Sequence, residues 1–492
     1  MSGSRSMVRA RAASVLTITA IVAAACGGAV TTPSSSPSPG STHSPYLTPL
    51  ASPSGTPFVV ESASPAANES FALGDFTVIK GQAASLSPAH DAGAVAAGEL
   101  NDFGFDLLRH LDSSGNLCAS PTSIALALAM VEPGAKGQTA AQMAQVMHSF
   151  GSSDQAREIV ALLDSLGSIT TYVDVDGVPL PLGASPDPAH PDPVVELNVS
   201  NQAFLQTGLA FEPTYLDALS SSFDSGIGVL DFKADPEAAR LTINKWASDQ
   251  TKGRIPSVLQ PGDIDVFTRF ALANSVYLKA AWAGPFDTAD TKPRDFTTAG
   301  GAVVSVPTMT TQRLMSYSAG TGYRAAELPL SGFGMSMTII VPDNMSDFIG
   351  GLSQAKLAAL LASESQYDVD FALPRFSVDT RLDLKTALVD MGMPLVFSDN
   401  ADLTGMAARG PLNPLGLKID KVIHQANIDV VEEGTTASAV TVVIGRAVTG
   451  GSSDETPPPH IQFNVDKPFL YLIRDSASGA VLFMGRVNDP SK

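Results

Sequence analysis

Serine, histidine and aspartate all occur in this 492-residue chain, so a nucleophile, a base and an orienting carboxylate are available in composition. Their spacing supplies none of the frames that hold such groups together. There is no G-x-S-x-G elbow, no H-E-x-x-H pair, no P-loop and no G-x-G-x-x-G turn. The seven histidines are scattered, and no cysteine spacing suits zinc, so neither a metal nor a cofactor is expected. Two cysteines exclude a disulfide scaffold. Cys118 lies between Leu117 and Ala119, a setting that suits a buried, inert thiol better than a nucleophile. The chain is read as a non-enzyme, with a secreted hydrolase of unrecognised site kept as the lesser alternative.

The residues that stand out do so by what they lack. From Gly434 through Thr435, Thr436, Ala437, Ser438, Ala439, Val440 and Thr441 to Gly445 there is no charge, no proline and no bulky ring. Such a run meets little steric resistance on entering the middle of a sheet. A proline there would lack a ladder donor, and a buried charge would cost several kcal/mol. Glu432 and Glu433 precede the run. Arg446, Ala447, Val448 and Thr449 follow it, and then comes a polar, turn-forming stretch, residues 450–459. A strand-competent segment that leads into an exposed loop invites sheet addition. Taken alone, it reads better as an ordinary core strand followed by a surface loop.

The elements that must position this segment follow from periodicity. Leu100, Phe103, Leu107 and Leu111 share one helical face. Ser120 and Pro121 read as the cap and first residue of a helix over residues 124–131, ended by Gly134 and Gly137. Further helices are expected over residues 156–166 and 236–250. Strand patterns cover residues 194–205, 267–279, 335–341, 368–373 and 422–431, and a closing hairpin pairs residues 469–473 with 480–487. Residues 71–79 can add another strand. Helices come first and strands crowd the second half, which predicts an α+β fold. No break in composition divides residues 92–490, so one domain is expected, with residues 170–193 (six prolines, two glycines) as an inserted loop. Met309, Met335 and Met337 read as core filler.

The N-terminus reads as an export address. Arg5, Arg9 and Arg11 precede an apolar stretch, residues 12–25, too short to span a bilayer. Small residues directly before Cys26 resemble a bacterial lipobox, so residues 1–25 are expected to be removed and Cys26 lipidated. An ordinary signal-peptidase site beside an incidental cysteine is the alternative. In residues 31–57, 20 of 27 are Ser, Thr or Pro and none is charged, which describes an extended tether. The domain plan is a leader (1–25), a tether and N-terminal extension (26–91) and one folded domain (92–490). The chain is then exported and held on the outer face of the bacterial cell membrane by its lipid, or released. With 49 acidic and 30 basic residues the formal charge is -19, which disfavours nucleic acid and anionic membrane surfaces. The lipid is the expected membrane contact, and a monomer is expected.

The order of motifs from residue 92 onward resembles the serpin family. It is carried by Asn116 to Ile124 with Ser120-Pro121-Thr122-Ser123, by Gly134-Ala135-Lys136-Gly137 and Thr139, and by Ile243-Asn244 leading to Ile255. Asn274 to Trp282, then Pro285-Phe286, fits next, as do Leu373-Pro374-Arg375-Phe376 and Ala401 to Gly405. Lys421-Val422-Ile423-His424 precedes Glu432-Glu433-Gly434-Thr435, and Phe463 to Leu470 matches the C-terminal signature.

The resemblance implies three β-sheets, eight or nine helices and an exposed reactive-centre loop. It implies a suicide inhibitor of serine, or cysteine, proteases. The protease cuts the loop and forms an acyl-enzyme, and the loop then inserts into the main sheet and drags the protease along. Residues 432–441 become the hinge. Counting the roughly seventeen loop residues of the family from Glu432 places the scissile bond at Val448-Thr449, which suits elastase-like or subtilisin-like targets. Arg446-Ala447, suited to trypsin-like targets, is the rival. Ser123, Asn274 and His424 match a polar cluster beneath the sheet opening, and Trp282 matches its top. For His424 alone, a satisfied core histidine is the plainer reading. A non-inhibitory binding serpin remains the alternative function.

Overall fold

The computed structural model describes residues 69–73, 75–84, 92–148, 195–331, 334–435 and 457–492. The leader with Cys26, the tether, the helix expected over residues 156–166, the 170–193 insertion, and loop residues Thr436, Ala437, Ser438, Ala439, Val440, Thr441, Arg446, Ala447, Val448 and Thr449 lie outside the described residues.

The chain opens with β1 (Glu69–Leu73) and β2 (Phe76–Lys80), followed by α1 (Ala92–His110), β3 (Leu117–Ala119), α2 (Pro121–Ala129) and α3 (Gly137–Val146). After the undescribed stretch come β4 (Val195–Gln206), α4 (Pro213–Phe223), β5 (Ile227–Leu230), α5 (Pro236–Gln250) and β6 (Phe270–Ala281). Next are β7 (Lys292–Thr297), β8 (Val303–Gly320), β9 (Tyr323–Pro329), β10 (Met335–Pro342), α6 (Met345–Gly350) and α7 (Gln354–Ala362). The last part holds β11 (Ser365–Pro374), β12 (Phe376–Asp383), α8 (Lys385–Asp390), β13 (Val422–Val431), β14 (Gly434–Thr435), β15 (His460–Asn464), β16 (Phe469–Asp475) and β17 (Val481–Val487). Eight α-helices are seen among the described residues, in a mixed α+β arrangement.

The main sheet runs β1-β2-β5-β4-β6-β14-β13-β12. Hydrogen bonding joins the remaining strands into a second network, because the 18-residue β8 pairs in turn with β7, β11 and β9. The 469–487 hairpin forms as expected and seats β3 on its far edge. Residues 71–79 give two strands instead of one. They form a hairpin that extends the main sheet, so that sheet begins before residue 92.

Two local readings change. Gly137 does not end a helix: at φ 55 it opens α3, an element the periodicity missed. β6 starts at Phe270 instead of residue 267, because Arg269 Nη1 donates to the Val266 and Thr268 carbonyls and holds that stretch as a turn. The Ser120 cap holds: its hydroxyl accepts from Ser123 N at 3.3 Å, and α2 behind it is wholly buried.

Burial explains the sequence of β6. One of its faces (Phe270, Leu272, Val276, Leu278, Ala280) packs in the central core with α2. Ala271 and Ala273, on the other face, meet Ile243, Trp246 and Ala247 of α5. A strand covered on both sides reads as a nearly continuous apolar run. Met309, Met335 and Met337 are core residues. Cys118 is fully buried, and desolvation pushes its thiol up to about 12.

Candidate functional site: a fork in the main sheet

β6 and β13 lie side by side and parallel, but their direct pairing covers only four rungs, from Leu272 with Val422 to Ser275 with Gln425. Above that rung the two strands are bridged by β14. Gly434 lies opposite Ala281 on one side and Val431 on the other; Thr435 lies opposite Ala280 and Val430. The main sheet is therefore forked, with the start of a new antiparallel strand wedged in the upper mouth.

The lower closure is a polar cluster inside an apolar core. His424 and Asn274 are a paired rung. Asn274 Nδ2 donates to Ser123 O at 2.7 Å, to Asn201 Oδ1 at 2.6 Å and to the Ser123 hydroxyl. The Ser120 backbone N–H reaches His424 Nε2 at 3.1 Å. A backbone N–H can only donate, so Nε2 is an acceptor and the ring proton sits on Nδ1. Nδ1 then donates to Asn274 Oδ1, 2.7 Å away. The ring is 0 % exposed, and desolvation pushes its pKa down to about 3, so it is neutral. Ser123, Asn274 and His424 are thus brought together, and Asn201 and Ser120 join them. Nothing local in the sequence marks Asn201; only its position opposite Asn274 on β4 does.

The last closed rung is less well satisfied. The Ser275 hydroxyl and Gln425 Oε1, on that rung, are buried without a hydrogen-bond partner among the described residues. Each such group costs about 1–3 kcal/mol, which weakens the ladder where it stops.

The upper mouth is built on Trp282 and Glu432. Trp282 Nε1 donates to Val431 O at 2.8 Å, and its backbone N–H donates to Glu433 O at 2.9 Å. Phe286 N donates to Glu432 O at 3.0 Å. The Glu432 side chain is 2 % exposed and accepts from Arg375 Nε at 2.8 Å, from Arg375 Nη2 at 2.6 Å and from the Thr291 hydroxyl. Burial alone would raise this carboxyl; the bonds from Arg375 and Thr291 outweigh it and hold it below the usual carboxylate range. In the sequence Arg375 stands out only as part of the 373–376 motif, with no partner indicated, and Thr291 is not marked at all. Gly434 is required by close approach: a Cβ there would lie 2.2 Å from Ala280 O, at a φ of 150 that favours glycine. Thr435 is buried, and its hydroxyl donates to Ala280 O at 3.3 Å.

A sequence profile described as Serpin (serine protease inhibitor) matches residues 98–490. The chain belongs to the serpin family. Among related proteins, this serpin is 33 % identical over 401 residues to the leukocyte elastase inhibitor of Xenopus laevis, a match covering 79 % of this chain and 97 % of that one. It is 34 % identical over 399 residues to Iripin-8 of Ixodes ricinus, covering 79 % and 92 %. With Serpin B3 of Homo sapiens the identity is 31 % over 406 residues, covering 79 % and 97 %. The native-state structure of the thermophilic serpin tengpin superposes with a TM-score of 0.68 at 22 % identity, covering 84 % of this chain and 97 % of that one. Native protease nexin-1 with heparin gives 0.66 at 25 %, covering 81 % and 100 %.

Proposed function

We propose that this serpin is an irreversible suicide-substrate inhibitor of serine proteases that works by completing the strand begun at Gly434 and Thr435. The register of these two residues carries the reading. Continued one residue at a time, it brings Thr441 between Asn274 and His424, and Gly445 opposite Phe270, the first residue of β6. The slot therefore takes residues 434–445, the same stretch that lacks charge and proline.

The alternation fits as well. Ala437 comes between Leu278 and Ile428, and Ala439 between Val276 and Ala426, all members of the central core, where small side chains are admitted. Thr436 comes between Lys279 and Asp429 on the opposite face. Insertion must part His424 from Asn274, and Thr441 arrives there with a hydroxyl that can take over their bonds.

In chemical terms the protease serine attacks the carbonyl at the scissile bond, the new amine leaves, and an ester joins the two proteins. The serpin then has to insert before water cleaves that ester. Distorting the protease removes the oxyanion donors on which hydrolysis depends. The serpin itself supplies no nucleophile.

The scissile bond is assigned to Val448-Thr449. Cut there, the chain leaves residues 434–445 free to fill the slot, with Arg446 past its end at the level of Arg269. Cleavage at Arg446-Ala447 would leave one residue of slack. A small aliphatic residue before the bond favours an elastase-like or subtilisin-like target, and several relatives are named leukocyte elastase inhibitors. We assign the N-terminus to export with a lipid on Cys26, which metabolic labelling with a palmitate analogue tests directly.

The function is tested by mixing the protein with an elastase and, separately, with trypsin, and running denaturing gels. A covalent band at the summed mass less the released peptide 449–492 is expected with elastase, and that peptide should begin at Thr449. Cleavage without that band would assign the protein to the non-inhibitory binding serpins.

A further inference from the structure

Away from the fork, a cavity of about 670 Å³ opens between the end of α1, the short helix α6 and the start of β16. That is within the range of small-molecule sites, roughly 300–1,000 Å³. Leu108, Leu111, Met345, Ile349 and Pro468 give it apolar walls. The charged residues in its lining are Arg109, Lys467 and Arg486 against the single acid Asp343. This excess of positive charge stands out in a chain of formal charge -19.

The cations differ in how well they are satisfied. Arg109 pairs with Asp106 and donates to Leu352 O at 2.8 Å, so it is occupied. Lys467 stands 3.5 Å from Asp343, too far for a good hydrogen bond. Arg486 is 2 % exposed, and its Nε donates to Gly115 O at 3.1 Å. Its two terminal amino groups have no partner, and it has no ion pair within 4.0 Å, among the described residues. Burial lowers its pKa, while the more distant Asp112 raises it. These two donors are still reached by solvent from the cavity that Arg486 lines, so they are free to meet an anion there. The two parallel donors of a guanidinium match a carboxylate.

We propose that this cavity binds a monoanionic amphiphile, a carboxylate on an apolar chain, with the headgroup on Arg486 and Lys467 and the tail along Leu108, Leu111 and Ile349. None of these residues borders β6, β13 or β14, so the site is separate from the fork and does not depend on protease inhibition.

The test is isothermal titration calorimetry on the full chain with decanoate, with decyltrimethylammonium of equal chain length, and with acetate. Decanoate is expected to bind at 1:1. The cation should bind at least tenfold more weakly, and acetate should give no signal. Two variants keep the test independent of folding, since both positions are solvent-accessible at the rim. Lys467→Glu should weaken decanoate at least tenfold, and Ser346→Trp, which fills the mouth from α6, should abolish binding. Both should leave the melting temperature of the unliganded protein unchanged. Equal affinity for the anionic and cationic chains, or undiminished binding to Ser346→Trp, would overturn the assignment. So would the absence of decanoate binding to the intact chain.

Discussion

The register at the fork separates two adjacent loop residues sharply. Extended into the slot, the register of Gly434 and Thr435 would bring Thr436 between Lys279 and Asp429, both partly exposed, and Ala437 between Leu278 and Ile428 of the central core. A glutamate at each position therefore does opposite things. In Thr436→Glu the carboxylate remains solvated beside a lysine. In Ala437→Glu it must be buried without a partner, at an effective cost of several kcal/mol. If about 2 kcal/mol of that is felt in the transition state for insertion, insertion slows roughly 30-fold. Hydrolysis of the ester is unaffected, so the number of inhibitor molecules hydrolysed for each protease trapped, which is the ratio of the two rates, rises by about the same factor. The assay titrates each variant against a fixed amount of elastase and follows residual activity and the covalent band. Ala437→Glu should behave as a substrate, and Thr436→Glu should trap nearly as well as the parent. If the two variants behave alike, or if Thr436→Glu is the worse, the register is wrong and the insertion argument fails with it.

Three further outcomes follow from the closures above and below. The His424 ring takes up a proton near pH 3 when folded and near 6.5 when unfolded. Stability should therefore fall as pH drops between these values, by up to about 1.4 kcal/mol per pH unit, and His424→Gln should flatten that part of a melting-versus-pH curve. Asn274→Ala strands the His424 Nδ1–H and the Asn201 and Ser123 acceptors. It should cost about 1–3 kcal/mol and speed spontaneous loss of inhibitory titre at 37 °C, measured by timed elastase titration. Glu432 has a depressed folded pKa, so its contribution is present above the ordinary carboxyl range and disappears as pH falls through the folded value. Arg375→Ala should move that loss to higher pH, read from acid titration of the melting temperature.

Much of this architecture was legible in the sequence because local signals and burial agree there. α5 and β13 fall on their expected bounds: Asp235 caps the helix, and apolar residues recur along the strand. The Ser120-Pro121 start of α2 was equally plain. The losses have physical causes. α3 opens on a glycine with positive φ, which in sequence reads as a stop. Phe267 looks like strand, yet it is 79 % exposed in a turn held by Arg269. At the fork, the types of Ser123, Asn274 and His424 could be read, but their convergence from α2, β6 and β13 is a property of the fold. Asn201 and Arg375 reach their partners across 73 and 57 residues, and no spacing rule covers such distances. The unsatisfied Ser275 and Gln425 could be found only once the closed ladder was seen to end on them.

Severing the loop should let its upstream part become a full strand between β6 and β13. Thermal unfolding of the protein before and after a single cut in the loop, followed by circular dichroism, tests this most directly. The cleaved protein should remain folded well above the temperature at which the intact one melts. A cleaved form that melts at the same temperature or lower would rule out insertion of the loop as a strand.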